Sequence, residues 1–159
     1  LHFAADGGLK VGPLGIEGGD RVELTYFDSK VPIAIFADNP HLSGYASLKL
    51  APEDLAAVPE MLKGQVAVSM QNPEGEQVDA TSLQIAGVLD ALYRYDGPLG
   101  VTFDGDTPTL RLWAPTATAV NAHLYADSTT RSDQTFPMTL DPATGVWSVI
   151  GQPACTIAL

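Results

Sequence analysis

Hydrophobic and polar residues alternate with a period of two along much of this chain, the pattern of strands with one buried face. Val22, Leu24 and Tyr26 alternate with Arg21, Glu23 and Thr25, and Ala46, Leu48 and Leu50 with Ser47 and Lys49. The same rhythm runs through Val66, Val68 and Met70, through Leu110 and Leu112, through Val120, Ala122 and Leu124, and through Phe136, Met138 and Leu140. Residues 31–37 carry no polar side chain and predict a strand buried on both faces. Asn72-Pro73-Glu74-Gly75 and Asp141-Pro142-Ala143-Thr144-Gly145 read as hairpin connections between such runs. Fifteen Gly and twelve Pro punctuate the short segments, as in an all-β sandwich.

One stretch departs from the rhythm. Pro52 sits where a first-turn proline belongs, Glu53 and Asp54 follow at the positive end of a helix dipole, and Leu55, Val58 and Leu62 share one face. Lys63 and Gly64 form an ending. Pro59 interrupts the middle at a cost of about 3 kcal/mol, so the expectation is two short turns or a kinked helix. A second helical turn is expected around residues 85–93. A boundary falls near Tyr95-Asp96-Gly97-Pro98, where the alternation restarts, giving domains 1–95 and 96–159. The fold class expected is mainly β, a β-rich N-terminal domain followed by a partial sandwich.

Charge narrows the possible partners. The 159 residues hold 19 acids and 8 bases, a net charge of −11. Phosphate binding needs a cationic surplus, so nucleic acid and an anionic membrane surface are disfavoured. No apolar run approaches the ~20 residues of a membrane span. The chain opens on Leu1-His2-Phe3 without a basic-then-apolar leader, and reads as an excised segment or mature fragment. A single cysteine, Cys155, allows neither an internal disulfide nor a cysteine-based zinc cage.

Reactive constellations are few. Asp104-Gly105-Asp106 is the tightest carboxylate pair, but its Gly and the nearby Pro108 favour a solvated turn over a glycosidic acid pair. His2 lies at the chain end, where fraying is expected, His41 follows Asn39-Pro40 in a turn, and His123 points out of a strand; none has metal-ligand spacing. Gly12, Gly15, Gly18 and Gly19 do not match a phosphate loop. Cys155 has no neighbouring base in sequence to activate it. Trp113 and Trp147 each fit either a sugar platform or core packing, and the burial energy of a large ring weights the balance towards packing. No catalytic, ligand-binding or metal residue is assigned, and no cofactor.

Leu110-Arg111-Leu112-Trp113-Ala114-Pro115-Thr116-Ala117 resembles the opening strand of the family-48 carbohydrate-binding module, the immunoglobulin-like sandwich that precedes the catalytic barrel of starch-debranching enzymes. Gln84-Ile85-Ala86-Gly87-Val88-Leu89-Asp90-Ala91-Leu92-Tyr93 and Asp96-Gly97-Pro98-Leu99-Gly100-Val101 look like the junction of pullulanase-type enzymes. Leu62-Lys63-Gly64-Gln65-Val66 resembles part of the β-rich domain before it. The combination, spread over residues 44–149, is more specific to pullulanases than the first element alone.

The resemblance implies a parent hydrolase of α-1,6-glucosidic branch points in pullulan, starch or glycogen. Its catalytic acids would lie on a downstream barrel, so this segment is expected to be non-catalytic. The implied partners are that barrel and, in the parent, a branched α-glucan; no nucleic acid and no membrane span are expected. An extracellular or cell-envelope location follows family habit. A complete module would continue past Val149 with further strands, so residues 96–159 are expected to be truncated, with an open edge. Glycogen-binding relatives carry a sugar-stacking Trp after the second strand, whereas residues 126–133 contain no aromatic side chain, and Trp147 falls on a core position. Trp113 and either Tyr93 or Tyr95 remain as interface aromatics. The alternatives are a free-standing glucan-binding module and a structural sandwich with no sugar ligand.

Overall fold

The computed structural model describes residues 1–12, 14–131 and 134–151. The chain is mostly β and divides into two compact units, Leu1–Leu83 and Gln84–Leu159.

In the first unit, an antiparallel sheet has the order β4(Asp20–Arg21)-β1(His2–Ala4)-β7(Gln65–Gln71)-β8(Gln77–Ser82). Strands β7 and β8 form the hairpin read from Asn72-Pro73-Glu74-Gly75. Asn72 closes it: its N–H donates to the Glu76 carbonyl (2.9 Å), its side-chain oxygen accepts from the Glu76 N–H (2.8 Å), and its carbonyl accepts from Gly75 (2.9 Å). Two ribbons complete the unit: β2(Lys10–Gly12) with β3(Gly15–Glu17), and β5(Thr25–Asp28) with β6(Ser47–Lys49). The kinked segment is a 3₁₀ helix, Pro52–Ala57, running into α2(Val58–Met61), with Pro59 tolerated in the first turn of the second piece. Ala4, Met61 and Leu62 are the buried apolar residues here.

Three expectations for this unit are corrected. Residues 31–37 are not a buried strand, because Ile33–Asp38 is a short helix, α1, with Ile33 86% and Ile35 49% exposed. The punctuation at its ends outweighs the apolar run. The Pro32 carbonyl accepts from Ile35 and Phe36 (both 3.0 Å), and Asn39 ends the helix by donating its amide to Ile35 (3.1 Å) ahead of Pro40. Second, Tyr26 and Leu48 pair across β5 and β6 but face solvent, 60% and 53% exposed. That ribbon pairs with no further strand, and a lone two-stranded ribbon offers little surface to bury its own side chains. Third, His2 is not at a frayed end. It sits in β1 opposite Arg21 and Ala67, and its Nε2 lies 2.9 Å from Ser69 Oγ. Desolvation there, reinforced by the neighbouring amino terminus and Arg21, lowers its pKa.

The second unit begins with α3(Ala86–Leu92) and then builds a sheet of order β13(Thr139–Asp141)-β14(Val146–Ile150)-β10(Thr107–Trp113)-β9(Gly100–Asp104), with a separate hairpin of β11(Asn121–Leu124) and β12(Gln134–Pro137). The alternating run 136–140 changes partner midway. Phe136 belongs to β12, Leu140 to β13, and buried Met138 lies between them, its N–H donating to Val120 (2.9 Å). Pairing sets Leu112 opposite Trp147 and Leu140 opposite Trp147, one apolar cluster across three strands. Adjacent residues Val146 and Trp147 point to opposite faces yet both are buried, so this end of the sheet is covered on both sides. The expected truncation concerns residues 152–159, which lie outside the described residues together with Cys155, Ser132 and Asp133.

Gly145 closes the β13–β14 turn with φ +67°, and a Cβ there would lie 2.5 Å from Pro115 Cβ and 3.3 Å from Tyr93 Cβ. Gly105, in the β9–β10 turn with φ +56°, faces open space. Gly145→Ala therefore adds a clash to the left-handed penalty of about 1–2 kcal/mol, while Gly105→Ala bears the penalty alone. Urea unfolding followed by tryptophan fluorescence, which reports only this unit because both Trp lie in it, should show Gly145→Ala destabilised by about 2 kcal/mol or more and clearly beyond Gly105→Ala. Equal effects would remove the packing argument.

The same turn carries an acid. Thr144 Oγ1 (2.7 Å) and the Ala143 N–H (3.0 Å) donate to the Asp141 carboxylate and hold its pKa below the usual range. A depressed folded-state value means that the stabilisation is complete above the ordinary carboxylate range and is lost as pH falls through the depressed value. Asp141→Asn should flatten the acid limb of a melting-temperature profile below about pH 4, the ordinary range for an aspartate; an unchanged limb would show that the turn acid does not titrate with folding.

Candidate functional site

A hollow of the second unit forms where the chain leaves α3 and enters β9. Tyr93 ends the helix, donating its N–H to Leu89 (2.9 Å), and its side chain is buried. Its carbonyl accepts the indole N–H of Trp113, at the end of β10, at 2.9 Å. Arg94 and Asp96 then form an ion pair at 3.1 Å, both exposed, at 79% and 77% of the side chain. Between them, half-buried Tyr95 lays its ring over Gly97, where a Cβ would force the ring to shift, and its hydroxyl donates to the Pro98 carbonyl (3.4 Å). These residues, with Asp90 of α3 and Leu99, line an open hollow of about 460 Å³.

The other singled-out residues fall elsewhere. Trp147 is buried, and its N–H donates to the Ala114 carbonyl at 3.0 Å, so it presents no ring to a ligand. Asp104 and Asp106 flank the tip of the β9–β10 hairpin, both exposed. His41 lies in an exposed 3₁₀ turn, and His123 is exposed with Nδ1 3.1 Å from Thr135 Oγ1. Gly12 and Gly15 pair at the end of the β2–β3 ribbon. Asp127 opens the loop after β11 and accepts from Thr129 N, Thr129 Oγ1 and Thr130 N, all at 2.8 Å, which holds its pKa far down. Among the described residues, no group of three or more His, Cys, Asp or Glu side chains could hold a metal ion, and no helix is long and apolar enough to cross a membrane.

The pullulanase N2 domain model matches residues 1–91. The chain belongs to the pullulanase N2 domain family. The model of carbohydrate-binding module 48, the isoamylase N-terminal domain, matches residues 98–157. Pullulanase 1, chloroplastic, of Arabidopsis thaliana is 39% identical over 98% of this chain, and a pullulanase of Klebsiella pneumoniae is 38% identical over 69%. The chain spans only 16% and 10% of the length of these two relatives. Among solved structures, PulA from Klebsiella oxytoca matches 96% of the chain at 30% identity with a TM-score of 0.81, over 14% of its own length. The maltotriose complex of PulA from Klebsiella pneumoniae matches equally well, over 16% of its length. These matches fall in the N-terminal region of the pullulanases.

In this pullulanase N-terminal segment, the sequence pointed to Trp113 and either Tyr93 or Tyr95 as interface aromatics, and the structure brings all three to one hollow. The sequence did not point to Asp90, Arg94, Asp96 or Leu99, which line the same space. All four lie within ten residues of one another, so their shared position follows from a local turn after a helix rather than from distant packing. The signal was present in the charged residues interleaved with Tyr93 and Tyr95.

The Trp113 N–H fixes this geometry, and Trp113→Phe keeps a ring while removing the donor. The Tyr93 carbonyl is then left without that partner, at a cost of about 1–3 kcal/mol. Unfolding followed through the remaining Trp147 should reveal this loss; a variant as stable as the parent would mean the bond does not anchor the helix.

Proposed function

We propose that this chain is the non-catalytic N-terminal portion of a pullulanase-type glycoside hydrolase, an enzyme that cleaves α-1,6-glucosidic branch linkages in pullulan, starch or glycogen. The observation that carries this reading is the correspondence with Klebsiella PulA over 96% of this chain but only 14% of that one. The segment packs beside a catalytic barrel supplied by the same polypeptide and helps shape access for a branched α-glucan. Its inherited parts divide into a β-rich domain, 1–95, and a family-48 module, 96–159; family matches ending at 91 and beginning at 98 support that division. The α3 helix nevertheless packs with the second part through the Trp113–Tyr93 bond. An immunoglobulin-like sandwich is the architecture we assign to the second part, supported by the four-stranded sheet, the separate hairpin and the change of partner at Met138.

An extracellular or cell-envelope location completes the reading, though the chloroplastic relative places a similar chain in another compartment. The 159-residue chain incubated with pullulan, beside an intact pullulanase as positive control, should release no reducing ends. Liberation of maltotriose by the chain alone would contradict the assignment of the chemistry to another part of the polypeptide.

A further inference from the structure

We propose that the arm formed by residues 25–49 is the surface by which this segment docks on the catalytic barrel of the same polypeptide. The inference rests on the reading of the chain as a portion of a pullulanase-type enzyme, and it assigns the contact to particular residues. Three observations carry it.

The arm has regular structure but no interior. It holds β5, α1, a 3₁₀ turn at Pro40–Leu42 and β6, and none of its residues is buried. Its chain is bonded to itself: Ser47 Oγ donates to the Lys30 carbonyl (3.0 Å), the Lys30 N–H to the Asp28 carboxylate (3.1 Å), and the Tyr45 N–H to the Leu42 carbonyl (3.2 Å). A helix of six residues and a two-stranded ribbon are each marginal in water by themselves. The entropy lost in ordering them is offset when another surface covers their apolar side chains.

The uncovered side chains have the composition of an interface core. Tyr26, Ile33, Ile35, Phe36, Tyr45 and Leu48 are between 41% and 86% exposed. At roughly 100 Å² each they offer about 600 Å², close to the ~800 Å² per partner of a stable interface. Phe27 already has a cover, because the Lys49 ammonium lies over its ring at 4.9 Å. The open face of the ribbon is therefore the one on which Tyr26 pairs with Leu48.

Charge and connectivity choose the occupant. Asp28 and Asp38 balance Lys30 and Lys49 within the arm, so the net charge of −11 lies on the rest of the chain. Interface cores are depleted of net charge in this way. A second copy would set another −11 against the first, whereas a surface on the same polypeptide is held nearby at high effective concentration. PulA from Klebsiella oxytoca matches 96% of this chain, too much to leave the arm out, and the match is only 14% of that protein. The arm thus recurs in a protein with ample further polypeptide to cover it.

Hydroxyl-radical labelling of the 159-residue chain and of the full polypeptide containing it tests this. Tyr26, Phe36 and Tyr45 should label several-fold more slowly in the full polypeptide. Equal labelling overturns the docking surface, as does labelling of the shorter chain that slows with concentration, the mark of a second copy. With p-benzoylphenylalanine in place of Tyr26, light should cross-link the full polypeptide within one chain, to its barrel; an adduct between chains, or none, overturns the assignment. Tyr26→Ser with Leu48→Ser, at two exposed positions, should leave the melting temperature of the shorter chain unchanged and restore fast labelling of Phe36 in the full polypeptide. Slow labelling that survives both changes refutes the role of that face. Reducing ends released from pullulan report on the proposed function separately. An active full polypeptide whose arm stays open refutes the docking alone, and a full polypeptide without that activity refutes the reading beneath it.

Discussion

A tryptophan set into a small sheet must place its indole N–H on an acceptor, because a buried donor left unpaired costs more than a good bond returns. In the second unit both indoles use backbone carbonyls of the chain flanking the sheet. Trp113 bonds to Tyr93, on the segment that leads into β9, and Trp147 to Ala114, on the segment leaving β10. Burying a ring such as Trp147 removes about 200 Å² from water and contributes about 5 kcal/mol before entropy is counted. The two bonds direct that gain: they hold the helix end and the post-β10 turn at fixed positions against the sheet. The close approach of Gly145 to Pro115 and Tyr93 follows from the same arrangement, since all three lie at the covered end.

This anchoring matters because little else is buried. Tyr93, Met138, Val146 and Trp147 are the buried apolar residues described in the second unit, and three occupy that role in the first. Units of about 80 residues bury a modest share of their surface, so each interior contact carries a large fraction of the stability. Local devices then gain weight. Asn72 closing one hairpin and Asp141 closing another use side-chain oxygens on their own backbone, which needs no core.

Those local devices are why much of the β architecture was legible in the sequence. Both hairpins follow from turn residues within five positions, and the Pro52–Met61 break follows from the placement of two prolines. The failures share the opposite cause. Whether residues 31–37 are buried depends on a neighbouring surface that the sequence does not specify, and here the flanking Pro32 and Asn39 turned the run into an exposed helix. Tyr26 and Leu48 alternate correctly, yet alternation says which residues share a face and not whether that face is covered. For the hollow, the aromatics were visible as candidates, whereas Arg94 and Asp96 were not singled out, because only the turn places them beside the rings.

The acids of the second unit also speak to what kind of chemistry it suits. A glycosidase acid must remain protonated near neutral pH, so its environment raises its pKa by burial or by a like charge. The carboxyls here whose pKa is displaced, Asp127 and Asp141, are displaced downward, each by threonine hydroxyls and backbone N–H groups of its own turn. Such groups are held as carboxylates and cannot deliver a proton to a leaving oxygen. Asp104 and Asp106 sit exposed at a hairpin tip, away from any enclosed space. The displaced acids thus serve the turns that hold them, each closing a short loop on its own backbone.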